Sequence, residues 1–170
     1  MSETRRNVEI KARVADLAET RRRVQQLATQ PPVHCKQTDT YFTCRMGRLK
    51  LRETVGRPAQ LIWYDRPNLA DPRISRYQWV EIPDADLARD VLAAALGIQA
   101  VVRKRREVYL YRFVRIHLDQ VEILGDFIEL EAVLESGIDE VDARRVLADL
   151  IERLEISPQS LVGSSYVDML

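Results

Sequence analysis

Glu129-Leu130-Glu131 follows directly on Gly125-Asp126-Phe127-Ile128. In an extended chain the alternation sends both carboxylates to one face and Ile128, Leu130 and Ala132 to the other. Two carboxylates about 4 Å apart repel by roughly 4 kcal/mol at an effective dielectric of 20. Such a pair must be solvated, protonated, matched by cations or neutralised by a metal. Cations recur in the same alternating style. Glu9 and Lys11 share a face against Val8, Ile10 and Ala12, and Lys50 and Arg52 oppose Leu49 and Leu51. Lys104 and Arg106 share a face, as do Arg115, His117 and Asp119 against Ile116 and Leu118. Any one of these strands reads as an ordinary sheet with one face on a core and one in water. Taken together they do not, because like charges cluster within strands where a solvated face mixes signs with Thr, Ser and Gln. The pattern points to a closed or nearly closed barrel with a charged interior, and about eight strands leave room for side chains and one small ligand. Clustered Lys and Arg suit phosphate oxygens, and several acidic side chains suit Mg2+ or Mn2+. The combination describes a metal-complexed phosphate chain. No Gly-rich Walker loop, Ser-His-Asp arrangement or cysteine nucleophile is present, which favours direct attack by water or by a substrate hydroxyl.

The elements that must position these groups are legible from their periods. A helix is predicted over 16–28, with Asp16 as N-cap and Leu17, Val24, Leu27 and Ala28 on its apolar stripe. A second starts after Pro83, capped by Asp84 or Asp86, carries Leu87, Val91, Leu92, Ala95 and Leu96, and stops at Gly97. A third spans 139–154 with Ala143, Val146, Leu147, Leu150, Ile151 and Leu154 inward, ended by Ser157-Pro158. Period-two alternation predicts strands over 7–13, 38–44, 48–54, 60–66, 76–82, 101–111, 114–121 and 127–134, with a hairpin turn at Met46-Gly47 and a loop over 68–75. Eight strands with three helices indicate an α+β fold with a largely antiparallel sheet. The segment 164–170 is apolar enough to dock on the body.

The chain's 170 residues fit one domain over 1–170, long enough to bury a real core. At 46% apolar and 31% charged residues it reads as soluble and globular. With 26 basic and 26 acidic residues no net field favours nucleic acid or membrane, and the mostly arginine basic side suits bidentate phosphate recognition. Met1-Ser2-Glu3-Thr4 is a polar start, and no apolar run approaches 18 residues, so a cytoplasmic protein is expected. Cys35 and Cys44 form neither a disulfide framework nor a zinc-ligand spacing with His34 or His117, and are read as structural.

The ordered set of motifs resembles the CYTH, or triphosphate tunnel metalloenzyme, superfamily, which includes class IV adenylyl cyclases, thiamine triphosphatases and inorganic triphosphatases. Asn7-Val8-Glu9-Ile10-Lys11 resembles its N-terminal Glu-x-Glu-x-Lys signature, Gln37-Thr38-Asp39-Thr40-Tyr41-Phe42 its second strand, and Gly47-Arg48-Leu49-Lys50-Leu51-Arg52 its next basic strand. Lys104-Arg105-Arg106 resembles its Lys-x-Arg strand. Leu118-Asp119-Gln120-Val121 with Leu124 to Glu131 resembles the closing acidic strands, and Ser165-Tyr166 the C-terminal tyrosine segment. The resemblance implies an eight-stranded antiparallel closed β-barrel, a triphosphate tunnel, with flanking helices. It implies that Lys11, Lys50, Arg52, Arg76, Lys104, Arg106 and Arg115 bind substrate, that Glu9, Asp119, Glu129 and Glu131 hold Mg2+ or Mn2+, and that Lys11 and Asp119 act in catalysis. The expected ligand is a small molecule with a triphosphate: ATP, thiamine triphosphate or inorganic triphosphate. A homodimer is compatible with the sequence, which does not set oligomeric state. Two positions depart from the family pattern. Asn7 stands where the signature has its first Glu, and Asp65 stands where the family often carries a lysine two residues before the turn proline, with Arg66 next to it. Cyclase and hydrolase share the phosphate apparatus, and a non-catalytic polyphosphate- or nucleotide-binding module is the alternative.

Overall fold

The computed structural model describes residues 4–135 and 137–170; residues 1–3, read above as a polar start, and Ser136 lie outside the described residues. Eight strands carry the fold: β1 (Arg5–Arg13), β2 (Val33–Phe42), β3 (Arg48–Thr54), β4 (Ala59–Asp65), β5 (Arg73–Ile82), β6 (Ile98–Tyr111), β7 (Val114–Val121) and β8 (Gly125–Val133). They form a closed barrel in the order β1-β5-β4-β3-β2-β6-β7-β8, with β8 pairing back onto β1 and every neighbouring pair antiparallel. Closure leaves no sheet edge to protect. Among the described residues no helix is long and apolar enough to cross a membrane.

The barrel is inverted relative to a small filled barrel: its main apolar core lies outside the wall. Alternation turns Val8, Ile10 and Ala12 of β1, Ile116 and Leu118 of β7, and Ile128 and Leu130 of β8 outward, all buried. Two helices roof them. In α3 (Glu140–Arg153) Ala143, Leu147 and Leu150 recur at helical spacing and are fully buried against this wall. In α1 (Leu17–Leu27) Val24 joins the same cluster. Each start is set by a carboxylate cap: Asp16 accepts from the Glu19 amide and Asp139 from the Asp142 amide. α2 (Ala85–Leu96) is capped by Asp84 and stopped at Gly97, whose φ of 75° suits glycine. It covers less than expected. Ala85, Ala88, Leu92 and Ala93 pack on Phe42, Leu51 and Ala59, whereas Leu87 and Val91 face solvent at 60% and 57% exposure. The small alanines approach the barrel, which rotates the larger side chains away.

The predicted hairpin at Met46-Gly47 is present. Gly47 has φ +67°, and a Cβ there would lie 2.6 Å from the Tyr64 carbonyl oxygen, so this turn excludes other residues. Cys35 and Cys44 are both free thiols. Three strands start at least three residues earlier than their sequence pattern predicted: β2 at Val33, β6 at Ile98 and β5 at Arg73. The last shortens the expected loop over 68–75.

If the stabilising core lies outside the barrel, Leu147→Ala, at a fully buried position, should cost about 2–5 kcal/mol in urea unfolding. Leu87→Ala should stay within about 0.5 kcal/mol of the parent. Equal costs at the two positions would contradict this placement of the core.

Candidate active site

The interior positions of the same strands are charged. Asp39 of β2 is completely buried, and three cations converge on it. Arg52, its direct partner on β3, donates through Nε at 2.7 Å and Nη2 at 2.8 Å. Lys104 donates at 2.7 Å and Lys50 at 3.2 Å. Burial alone would raise the Asp39 carboxyl; Arg52, Lys104 and Lys50 instead hold it well below the usual carboxylate range. One carboxylate does not balance three cations. Burial, with Arg52 nearby, pushes Lys50 down to about 7, and burial lowers Lys104 to about 8 despite Asp39. Asp39 was not among the site residues read from the sequence, although the alternation Gln37-Asp39-Tyr41 places it on the inner face.

A fourth cation is held by two carboxylates. Arg106 of β6 faces Asp119 of β7, donating to its two oxygens at 2.6 Å each, and donates to Glu129 at 2.9 Å. Tyr166 Oη also donates to Asp119 at 2.8 Å. Asp119, expected as a metal ligand and catalytic group, is fully buried beneath Arg106 and does not line the cavity. Its place in the structure is that of an anchor for the guanidinium. Lys11 lies 3.7 Å from Glu129 and 3.7 Å from the Tyr166 ring centroid; burial lowers its pKa, against the pull of Glu129.

Carboxylates gather across β1, β8 and β7. Glu9 faces Glu131, Lys11 faces Glu129, and His117 faces Glu129 from the other side. His117 Nδ1 is 3.6 Å from Glu129 and Nε2 3.9 Å from Glu131, longer than hydrogen bonds. One ligand atom each from His117, Glu129 and Glu131 lie within 4.8 Å of one another. The buried Nδ1 has no hydrogen-bond partner, nor has the amide oxygen of Asn7. A buried imidazole nitrogen without a partner, next to two carboxylates, is the donor set a divalent cation requires. Glu9, expected in this set, is instead paired with Arg66 at 2.8 Å and Arg73 at 3.5 Å. Its carboxyl is raised to about 7 by burial and by Glu129, against Arg66.

The remaining expected residues divide. Arg115 faces Glu131, is exposed and lines the cavity. Arg76 does not: it is exposed on the outer wall, opposite Arg6 and Asp65. β5 pairs with β1 so that Arg73 faces Glu9; the odd positions Ser75, Tyr77 and Trp79 line the cavity, and the buried Arg73, paired with Glu9, stands in the interior in place of Arg76. Arg66, one residue beyond β4, is buried, pairs with Glu9 and donates to the Gly163 carbonyl, while Asp65 is exposed. A cation therefore fills the region where Asp65 left a gap in the sequence pattern.

These side chains enclose a cavity of about 340 Å³. At one end the C-terminal segment plugs it. Tyr166 and Val167 are buried against Phe127, Tyr41 and Val121, Ser165 hydrogen-bonds Tyr64, and Asp168 pairs with Arg48 at 2.7 Å. A larger groove, about 990 Å³, runs along the outer wall past Lys36, Thr38, Arg103 and Arg105, away from the carboxylates.

The CYTH domain family model matches residues 5–166. Among curated proteins, 97 residues are 35% identical to the adenylate cyclase CyaB of Aeromonas hydrophila, over 56% of this chain and 50% of that protein. A putative adenylate cyclase of Methanocaldococcus jannaschii is 35% identical over 95 residues, 53% of this chain and 52% of the relative. The matches span about half the length of these curated relatives. Among solved structures, a Pyrococcus horikoshii OT3 protein superposes with a TM-score of 0.85 at 22% identity, covering 96% of this chain and 99% of its own. A putative adenylyl cyclase from Hippeastrum, described as having a dominant triphosphatase activity, superposes at 0.65 with 16% identity over 94% and 91% of the two chains.

Two substitutions separate the interior from the wall. Asp39→Asn leaves two buried lysines and the partly buried Arg52 without their carboxylate and should cost about 3–5 kcal/mol of stability in the ligand-free protein. Arg76→Ala should change stability by less than about 0.5 kcal/mol and leave tripolyphosphate binding unaltered. Urea unfolding and calorimetric titration read both, and a binding loss in Arg76→Ala would place that residue back in the site.

Proposed function

The chain belongs to the CYTH domain family, and on that premise we propose that it is a divalent-metal-dependent enzyme acting on a triphosphate held inside the barrel. The observation that carries the reading is the pairing, across one cavity, of Lys50, Arg52, Lys104 and Arg106 with Glu129 and Glu131, next to which the buried His117 lies. Lys50, Lys104 and Arg106 are buried, Arg52 is partly so, and they share too few carboxylates, so a polyanion entering among them supplies the missing negative charge where water is scarce. Arg106, clamped by Asp119 and Glu129, with Tyr166 holding Asp119 in place, presents a fixed guanidinium to phosphate oxygens without reorganising. Lys11, between Glu129 and the Tyr166 ring, places positive charge next to the carboxylates, where charge on the reacting phosphate develops. Glu129, Glu131 and His117 would hold Mg2+ or Mn2+, which supplies Lewis-acid neutralisation of phosphate oxygens and orientation of the nucleophile. A nitrogen donor in the set favours Mn2+ over Mg2+.

The same apparatus serves water attacking the terminal phosphorus or a ribose 3′-hydroxyl attacking the α-phosphorus. Product analysis with ATP, thiamine triphosphate and inorganic tripolyphosphate, each with Mg2+ or Mn2+, separates them: orthophosphate marks the hydrolase, cyclic AMP with pyrophosphate the cyclase. Glu129→Gln should lower turnover by about a hundredfold or more with the fold retained, and unchanged turnover at limiting metal would contradict its role.

The depressed lysines make a further prediction. A group whose folded pKa lies below its unfolded value is a penalty, full below about 7 for Lys50 and fading as pH rises towards 10.5. Bound triphosphate favours the ammonium, so its binding at pH 8 should draw a proton onto Lys50. Titrations in buffers of different ionisation enthalpy should show net uptake that falls in Lys50→Arg, whose side chain is always charged. Identical proton linkage in the two proteins would contradict the assignment of Lys50.

A further inference from the structure

Charge is also segregated on the outer wall, where the interior site gives it no task. Lys36 of β2 and Arg105 of β6 are direct cross-strand partners, and Arg103, the partner of Thr38, stands two residues along on the same face. All three are exposed, as is Arg57 in the β3–β4 turn. Like charges directly opposite one another destabilise a sheet, and among the described residues none of these four cations forms an ion pair. They line the groove of about 990 Å³, whose acids are Glu53, already held by Arg89, and Glu122. Lys104 also borders it, but its ammonium is turned inward to Asp39. Val55, Ala59, Ile82 and Pro83 give the same groove an apolar portion.

α2 borders this groove at Ala85 and has the opposite character. Leu87 and Val91, one turn apart, face solvent, and Asp86 and Asp90 form an exposed row next to them. Arg89, the one cation of the helix, is engaged by Glu53 and Asp86. The spacings match: Asp86 and Asp90 are four helical residues apart, roughly 6 Å, and Arg103 and Arg105 two strand residues apart, roughly 7 Å. An acidic, apolar helix face thus adjoins a basic groove with an apolar portion, in a chain of zero net charge. A monomer leaves both unsatisfied. Two copies related by a twofold axis between the patches satisfy both at once, because an isologous contact lets each copy give its helix and receive the other's. No aromatic side chain lines the groove, so the bases of a nucleic acid would find nothing there to stack on.

We propose that this wall is the interface of a homodimer, in which Asp86 and Asp90 on α2 of each copy meet Lys36, Arg103 and Arg105 of the other, and Leu87 and Val91 are buried against the groove. None of these side chains lines the barrel cavity, so the inference is independent of the triphosphate reading. The contact joins folded monomers, and Leu87→Ala keeps its small effect on unfolding at protein concentrations that dissociate the dimer.

Sedimentation velocity over a dilution series tests this with wild type, the double variant Arg103→Glu with Arg105→Glu, and the double variant Asp86→Arg with Asp90→Arg. Wild type should be dimeric and should dissociate as NaCl is raised, because exposed charge pairs are screened. Each double variant sets like charge against like charge and should weaken self-association about tenfold or more. An equimolar mixture of the two should restore the dimer. In the mixed pair the reversed helix meets the reversed groove, and the unchanged helix meets the unchanged groove. Melting temperatures close to wild type, measured where all are monomeric, show that the variants are folded. Should a double variant fail to fold, the exposed single variants Arg105→Glu and Asp90→Arg carry the same test. A wild type that stays monomeric at the highest concentration would overturn the proposal and leave the groove to an acidic partner of another kind. Variants that dimerise as tightly as wild type, or a mixture that stays monomeric, would overturn it equally.

Discussion

Charges buried inside a closed barrel must balance one another, because bulk water cannot do so. Removing an ion from water costs several kcal/mol even after relaxation, and here cations and carboxylates from all around the wall face a common interior. The observed pairings answer that constraint. Asp39 is shared by Lys50, Arg52 and Lys104, Asp119 is spent on Arg106, and Glu9 is matched by Arg66 and Arg73. The balance is incomplete in two places. Lysines are pushed towards neutrality on one side, and on the other an imidazole nitrogen stands unpartnered next to two carboxylates. The proposed polyanion and divalent cation would complete it.

The rest of the architecture follows from placing charge inside. A barrel with a polar interior cannot use that interior as its core, so the apolar alternation must be buried on the outer wall. α1 and α3 supply the cover, and Val8, Ile10, Leu130 and Leu147 meet between helix and sheet. The C-terminal segment does the remaining work at one end, where the Tyr166 ring packs on Phe127 and its hydroxyl reaches Asp119. The plug and the site are thus one structure. The residue that closes the tunnel also fixes the carboxylate that fixes Arg106.

Much of this was legible in the sequence for a physical reason: on a strand, residue parity alone decides which face a side chain takes. Glu9 and Lys11, Lys50 and Arg52, Lys104 and Arg106, and Glu129 and Glu131 share interior faces as their spacing requires. Parity leaves open which of the two faces of a strand is the inner one when both carry polar residues, as in β5. Arg76 carried the expected charge, but the register puts Arg76 outside. Asp39 was hidden for another reason: a lone acid among Thr, Gln and Tyr shows no clustering, and its importance appears only when β3 and β6 bring three cations to it. Asp119 and His117 were hard to tell apart for a similar reason. Both point inward from β7, and only the cross-strand partners reveal that Arg106 consumes one while the other faces Glu129 and Glu131. The rotation of α2 was unreadable because its inward face is built from alanines, which carry a weaker signal than the leucine and valine it exposes.

The central proposal is that the interior binds a polyanion together with a divalent cation. The most direct measurement is the melting temperature of the wild-type protein with saturating tripolyphosphate, with and without Mn2+. A ligand that binds only the folded state stabilises it by mass action, about 2.7 kcal/mol at a hundredfold excess over Kd, and relief of repulsion among buried cations acts in the same direction. The account predicts an upward shift with tripolyphosphate and a larger one with Mn2+ added. A melting temperature indifferent to tripolyphosphate under both conditions would contradict it.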